Sequence, residues 1–192
     1  MALGLLNSTI DQISNYIFID TEIFEKISGR PRIDLSRVMH LDFLDISTHS
    51  FIVLKRRVDN KIKLSFTVEL EEENSIFNFV FNFRDEDSFK MIRLDNRKHE
   101  STPNAFLNNS QKHHWYFVAI ADQKQPPAGP FNVVIDINKK INKFDFTVKG
   151  QKYKFIKKDG NTIDLYNEFE KGLKIGWFNE EGTVKLSNIK IS

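Results

Sequence analysis

The sequence predicts an all-β protein, built as a two-sheet antiparallel sandwich with an N-terminal arm and one short helix. Three observations carry this reading. From Val38 onward apolar residues recur at every second position, the period of a strand with one buried face. The breaks between these runs hold turn-forming residues, among them Arg84-Asp85-Glu86-Asp87, Pro126-Pro127-Ala128-Gly129-Pro130, Lys149-Gly150 and Glu180-Glu181-Gly182. Helical periodicity between the strands is almost absent, so an alternating βαβ arrangement fails and the strands must stack as two layers. At 192 residues the chain has the length of one domain, or of one domain with an arm.

Residues 1–28 are the least strand-like part and are assigned to an arm or edge element, with the sandwich over 29–192. Leu6, Ile10, Ile13 and Ile17 recur at helical spacing and Ser8 stands where a cap would. Ile17 to Ile27 is denser in β-branched and aromatic residues and reads equally as a strand. Gly29-Arg30-Pro31 then interrupts regular structure. In 61–71, Ile62, Leu64, Phe66, Val68 and Leu70 share one face, with Lys63, Ser65, Thr67 and Glu69 on the other. In 76–84, Phe77, Phe79, Phe81 and Phe83 line one face, and Asn78, Val80 and Asn82 lie opposite. Further strand runs fall at 50–58, 88–96, 114–121, 131–138, 143–149, 152–156, 173–178 and 183–191. A helix of about ten residues is expected over 161–171, with Asn161-Thr162-Ile163-Asp164 as its capping segment and Gly172 as its stop. In the last strand Val184 and Leu186 have one parity, and Ile189 and Ile191 the other. A bulge near Ser187-Asn188 would turn all four inward.

Composition removes whole classes of chemistry. The chain has no cysteine, which excludes a disulfide scaffold, a zinc–thiolate site and a cysteine nucleophile. The 28 Lys and Arg against 26 Asp and Glu leave a net charge of +2, so no strong field of either sign exists. The 18 Phe against 2 Trp and 4 Tyr favour a dry core over an aromatic surface. No apolar run reaches the ~18–20 residues of a membrane span. The first residues lack a basic stretch ahead of their apolar one, so a secretory signal is not expected and a cytoplasmic location is. The sequons at Asn7 and Asn108 are then read as chance.

The segment Ser75–Asn96, strand, acidic turn and strand, resembles concanavalin A-like lectin/glucanase domains, the laminin-G and family-16-glucanase type of jelly roll. Phe131–Lys149 is similar to a later strand pair of that fold, and Lys174–Ile191 to its closing hairpin. The resemblance covers about residues 36–192 and leaves out the arm and the helix. It implies two curved stacked sheets, the concave face of which often binds glycans in relatives.

Retaining glucanases of this type carry a Glu-x-Asp-x-x-Glu pattern, which places two carboxyl groups on one strand face at about 5–5.5 Å. The sequence lacks it. Glu69-Leu70-Glu71-Glu72-Glu73 and Asp85-Glu86-Asp87 read as solvated hairpin tips, and the protein is expected to be non-catalytic. Asp85, Asp87 and Asp95 are the candidates for calcium, without EF-hand spacing, and no cofactor is expected. His99, His113 and His114 are the candidate metal-ligating histidines, but His113 and His114 point to opposite faces of a strand and cannot readily share a metal, and no third ligand stands at a recognised spacing. Interleaved acidic turns argue against a nucleic-acid surface.

The face opposite the Phe row is the place to look for a ligand. Asn78, Asn82 and Arg84 share it. Arg93 and Asp95 have a common parity on the next run, Asp136 lies opposite Ile135 and Ile137, and Trp115 or Tyr116 offers a ring for stacking. A solvated polar face is the plain alternative for these residues. Trp177 shares its parity with Leu173 and Ile175 and belongs in the core. The reading is a non-catalytic module that binds carbohydrate on the concave sheet. The alternatives are a structural or adaptor subunit that docks or self-associates through residues 1–28, and, behind it, a glycoside hydrolase with other carboxylates.

Overall fold

The structure is a computed structural model. It describes residues 24–28, 32–34, 43–46, 50–70, 75–95, 105–112, 114–122 and 130–192. Strands β1 (Phe24–Ser28), β4 (Ser50–Leu54), β6 (Ile76–Asp85), β7 (Ser88–Asp95), β8 (Ala105–Gln111), β9 (His114–Ala121), β13 (Phe155–Ile156), β14 (Thr162–Ile163) and β15 (Lys174–Glu181) form a nine-stranded sheet in the order β1-β4-β15-β6-β7-β8-β9-β13-β14. Strands β2 (Arg32–Asp34), β3 (Phe43–Ile46), β5 (Lys61–Leu70), β10 (Phe131–Asn138), β11 (Lys143–Val148), β12 (Gln151–Lys152) and β16 (Val184–Ile191) form a seven-stranded sheet in the order β12-β11-β10-β5-β16-β3-β2. Every pairing is antiparallel. The expected two-sheet antiparallel sandwich is therefore what the chain forms.

The core lies between the sheets, where strand alternation sends one side chain in two. Phe66 of the smaller sheet meets Phe77 and Trp177 of the larger at 5.9 and 5.5 Å between ring centres. Phe81 stands edge-on to Phe144 at 5.2 Å. Each such side chain, fully buried, contributes about 1.5–3 kcal/mol relative to exposure. Trp177 is completely buried, the position its parity indicates. Phe24 of β1 packs on Trp177 at 5.4 Å, so the edge strand is fastened to the core. Residues 1–23, the rest of the expected arm, lie outside the described residues.

Several local expectations change. The run expected at 152–156 splits, because Gln151–Lys152 pairs in the smaller sheet and Phe155–Ile156 in the larger. Asn82 has a left-handed backbone (φ 54°), and the β6–β7 register shifts between Phe81 and Asp85. Parity inverts there, so Phe83 leaves the core row of Phe77, Phe79 and Phe81 and joins an apolar cluster on the outer face of the larger sheet. The helix is one turn, α1 (Leu165–Glu168), capped by Asp164, because Thr162 and Ile163 pair with β13 instead and Phe169 goes extended to bury its ring against Phe144. β8 is a full strand between β7 and β9, in a segment with no expected strand. The bulge in β16 is present: the register shifts between Ser187 and Lys190, Asn188 has φ 53°, and Ile189 and Ile191 pack on the core.

Candidate functional site

The outer face of the larger sheet carries the candidate site. Core residues Ile92 and Leu94 of β7 and Leu107 of β8 point inward, so Phe89, Met91, Arg93 and Asp95, with Phe106, Asn108 and Ser110, point outward. On one side the outward residues make a second apolar cluster. The Phe51 ring lies 5.1, 5.2 and 5.3 Å from Phe83, Phe89 and Phe178, and these rings bury Val53, Val80 and Met91. The face is thus apolar and dry at one end.

At its border stands Trp115 of β9, which meets Phe178 edge-on at 5.8 Å and stays 39% exposed. Phe117, two residues on, is 38% exposed and meets Phe106 edge-on at 6.1 Å. The Arg93 guanidinium lies 6.0 Å from the Trp115 ring centre. Its two terminal nitrogens pair with Asp95 at 3.2 Å and Glu180 at 2.7 Å, which fixes the plane of the group.

Four polar atoms on this face are buried without a hydrogen-bond partner among the described residues: Asn78 Oδ1, Arg93 Nε, Asn108 Oδ1 and Ser110 Oγ. Each such atom costs about 1–3 kcal/mol unless something satisfies it. Acceptors, a donor and a hydroxyl next to exposed rings suit a ligand that carries many hydroxyl groups.

Of the residues singled out from the sequence, Asn78, Arg93, Asp95 and Trp115 come together here. Asn78 is fully buried and donates from Nδ2 to the Phe178 carbonyl at 3.1 Å. Asn82 and Arg84 do not join them, because the inverted parity turns them to the end of the sandwich. Asn82 holds the backbone of Glu168 and Glu170, and Arg84 pairs with Glu170 at 2.5 Å. There they line a polar cleft of about 260 Å³ with Ser88, Lys90 and Asn109. Tyr116 is exposed on the opposite side of β9 from Trp115, across from Asn109. Asp136 belongs to the smaller sheet, where β10 pairs with β5 and β11, and it accepts from Lys143 Nζ at 2.6 Å. That hydrogen bond holds the Lys143 ammonium above its ordinary range.

Sequence reasoning missed Asn108, Ser110, Phe117, Phe178 and Glu180. Asn108-Asn109-Ser110 reads as a sequon in a loop. The one signal was the parity of Ala105 and Leu107 leading into it. For calcium, Asp85 and Asp87 stand at a hairpin tip and Asp95 at the far end of β7. No group of three metal-capable side chains occurs among the described residues. Of the candidate histidines, His114 is exposed and His99 and His113 lie outside the described residues.

The sequence matches no protein-family model and no curated protein. The fold does have solved counterparts. Carbohydrate-binding module CBM66 from Bacillus subtilis superposes with a TM-score of 0.61 at 8% identity, over 88% of this chain and 94% of that one. A Bacillus subtilis protein of unknown function with a galectin-like fold gives 0.56 at 11% identity, over 92% and 93%. Winged bean acidic lectin, solved with methyl-α-D-galactose, gives 0.54 at 10% identity, over 92% and 94%. At these identities the likeness shows the fold: an antiparallel sandwich of the kind found in lectins and carbohydrate-binding modules.

Proposed function

We propose that this protein is a non-catalytic carbohydrate-binding module, and that its ligand lies on the outer face of the larger sheet at Trp115, Arg93, Asn108 and Ser110. The observation that carries the reading is an exposed indole beside buried polar atoms that have no partner among the described residues. An aromatic ring packs against the apolar face of a sugar, and the orphaned amide, hydroxyl and guanidinium groups meet its hydroxyls. The fold likeness to a carbohydrate-binding module and a lectin agrees with this reading, and carries no residue over. The two carboxylates beside Trp115, Asp95 and Glu180, are committed to the same guanidinium, which supports binding rather than hydrolysis. The laminin-G or glucanase subtype is part of the proposal, as the sequence resemblance suggests.

A glycan array probed with the intact chain tests it, followed by titration of the hits. Trp115→Ala is expected to weaken binding at least about tenfold, equivalent to about 1.4 kcal/mol. No glycan bound at millimolar concentration would sink the reading. Self-association or capture of a protein by the same face would turn it to the adaptor alternative.

A further inference from the structure

We infer, resting on the carbohydrate reading above, that the ligand is an oligosaccharide running along β9 with two adjacent sugar rings, rather than a single sugar. The face is built twice over. Trp115 and Phe117 lie two residues apart on one strand and point the same way, which sets their rings about 6.7 Å apart at the backbone. That spacing is comparable with the repeat of two directly linked pyranose rings. Both are exposed to nearly the same degree, 39% and 38%.

The neighbouring strand repeats the pattern. In the β8–β9 register Trp115 faces Ser110 and Phe117 faces Asn108, so each ring has its own buried, unpartnered oxygen beside it. Ser110 and Asn108 are themselves 2% and 8% exposed. A ring buttresses each platform from the side: Phe178 meets Trp115 at 84° and Phe106 meets Phe117 at 76°. Held rings lose little rotamer freedom when a ligand stacks on them. Each platform also has a cation near it, Arg93 at 6.0 Å from the Trp115 centroid and Lys158 at 5.9 Å from the Phe117 centroid. Ring, oxygen, buttress and cation recur at one spacing, and a lone sugar would fill only half of the set.

Calorimetric titration with matched mono-, di- and trisaccharides of glucose, galactose, mannose, xylose and fructose tests the inference. In whichever series binds, the disaccharide is expected to bind at least about tenfold more tightly than the monosaccharide, with little further gain for the trisaccharide. Phe117→Ala is expected to cost the disaccharide about tenfold and leave the monosaccharide within about twofold, whereas Trp115→Ala weakens both. Unchanged monosaccharide binding, or an unchanged thermal midpoint, certifies the variant fold. Equal affinity for mono- and disaccharide, or an equal loss of both in Phe117→Ala, overturns the two-ring inference and leaves the carbohydrate reading intact. Absence of binding in every series overturns both.

Discussion

Asn82 grips the Glu168 carbonyl through Nδ2 at 2.7 Å, from a left-handed backbone position in the middle of a strand. The other end of the same amide accepts from the Glu170 N–H at 2.9 Å. One side chain therefore ties the α1 segment to the end of β6.

Two substitutions separate the two contributions. Asn82→Gly keeps the left-handed backbone and loses both hydrogen bonds, and is expected to cost about 1–3 kcal/mol. Asn82→Ala also strains the backbone and is expected to cost about 1 kcal/mol more. Urea unfolding of both variants measures the difference. Alanine no worse than glycine would refute the backbone contribution.

Gly176 shows how tightly β15 is inserted. A Cβ there would stand 2.1 Å from the Ile52 carbonyl oxygen and 2.6 Å from the Val53 Cα, both backbone atoms that cannot step aside. Gly176→Ala is expected to cost more than about 3 kcal/mol and to yield little soluble protein. At Gly150, where φ is +79° and no atom lies within 4 Å, alanine is expected to cost only about 1–2 kcal/mol. Comparable thermal midpoints for the two variants would contradict the close approach.

The two tryptophans make a natural pair of reporters. Trp177 is fully buried and Trp115 is 39% exposed. Trp115→Phe is expected to leave a blue-shifted emission that acrylamide quenches poorly and that added glycan leaves unchanged. Trp177→Ala is expected to destabilise by about 3–5 kcal/mol, whereas Trp115→Ala stays near wild type. A quencher-sensitive signal from Trp115→Phe would contradict the buried placement.

Tyr153 supplies an alkaline test. Burial, and then the nearby Asp122 charge, push its phenol up to about 12 from an ordinary 10.0. The folded state keeps this proton where the unfolded chain releases it, so stability is full below about pH 10 and falls as pH rises towards 12. Tyr153→Phe is expected to flatten that decline. Chemical unfolding across the window, with phenolate absorbance alongside, checks the sign. An undiminished slope in Tyr153→Phe would assign the decline to other groups.

Alternation shows which side chains share a face, and for Phe66 and Phe77 it identified two core residues that do meet across the sheets. It does not show which sheet a strand joins, because pairing is set by distant segments. Asp136 had the right parity on the wrong sheet for that reason. The Asn82 turn was invisible to a period-2 reading, since one left-handed residue inverts every side chain after it. β8 escaped because Asn108, Asn109 and Ser110 disfavour strands, and its ladder is supplied by β7 and β9 rather than by its own propensity. The candidate site was half legible: Arg93, Asp95, Asn78 and Trp115 stood out as unusual residues on strand faces. Their partners Asn108 and Ser110 looked like loop.

The β15–β16 hairpin has a consequence for biosynthesis. β15 lies between β4 and β6 in one sheet, and β16 between β5 and β3 in the other. Neither sheet can close until residues 174–191 have left the ribosome. Before then β4 and β6 keep open edges, and Phe24 and Phe66 lack the Trp177 ring that both pack against. Aggregation or chaperone capture is thus a hazard of the nascent chain, and the finished fold, with both gaps filled by one hairpin, escapes it.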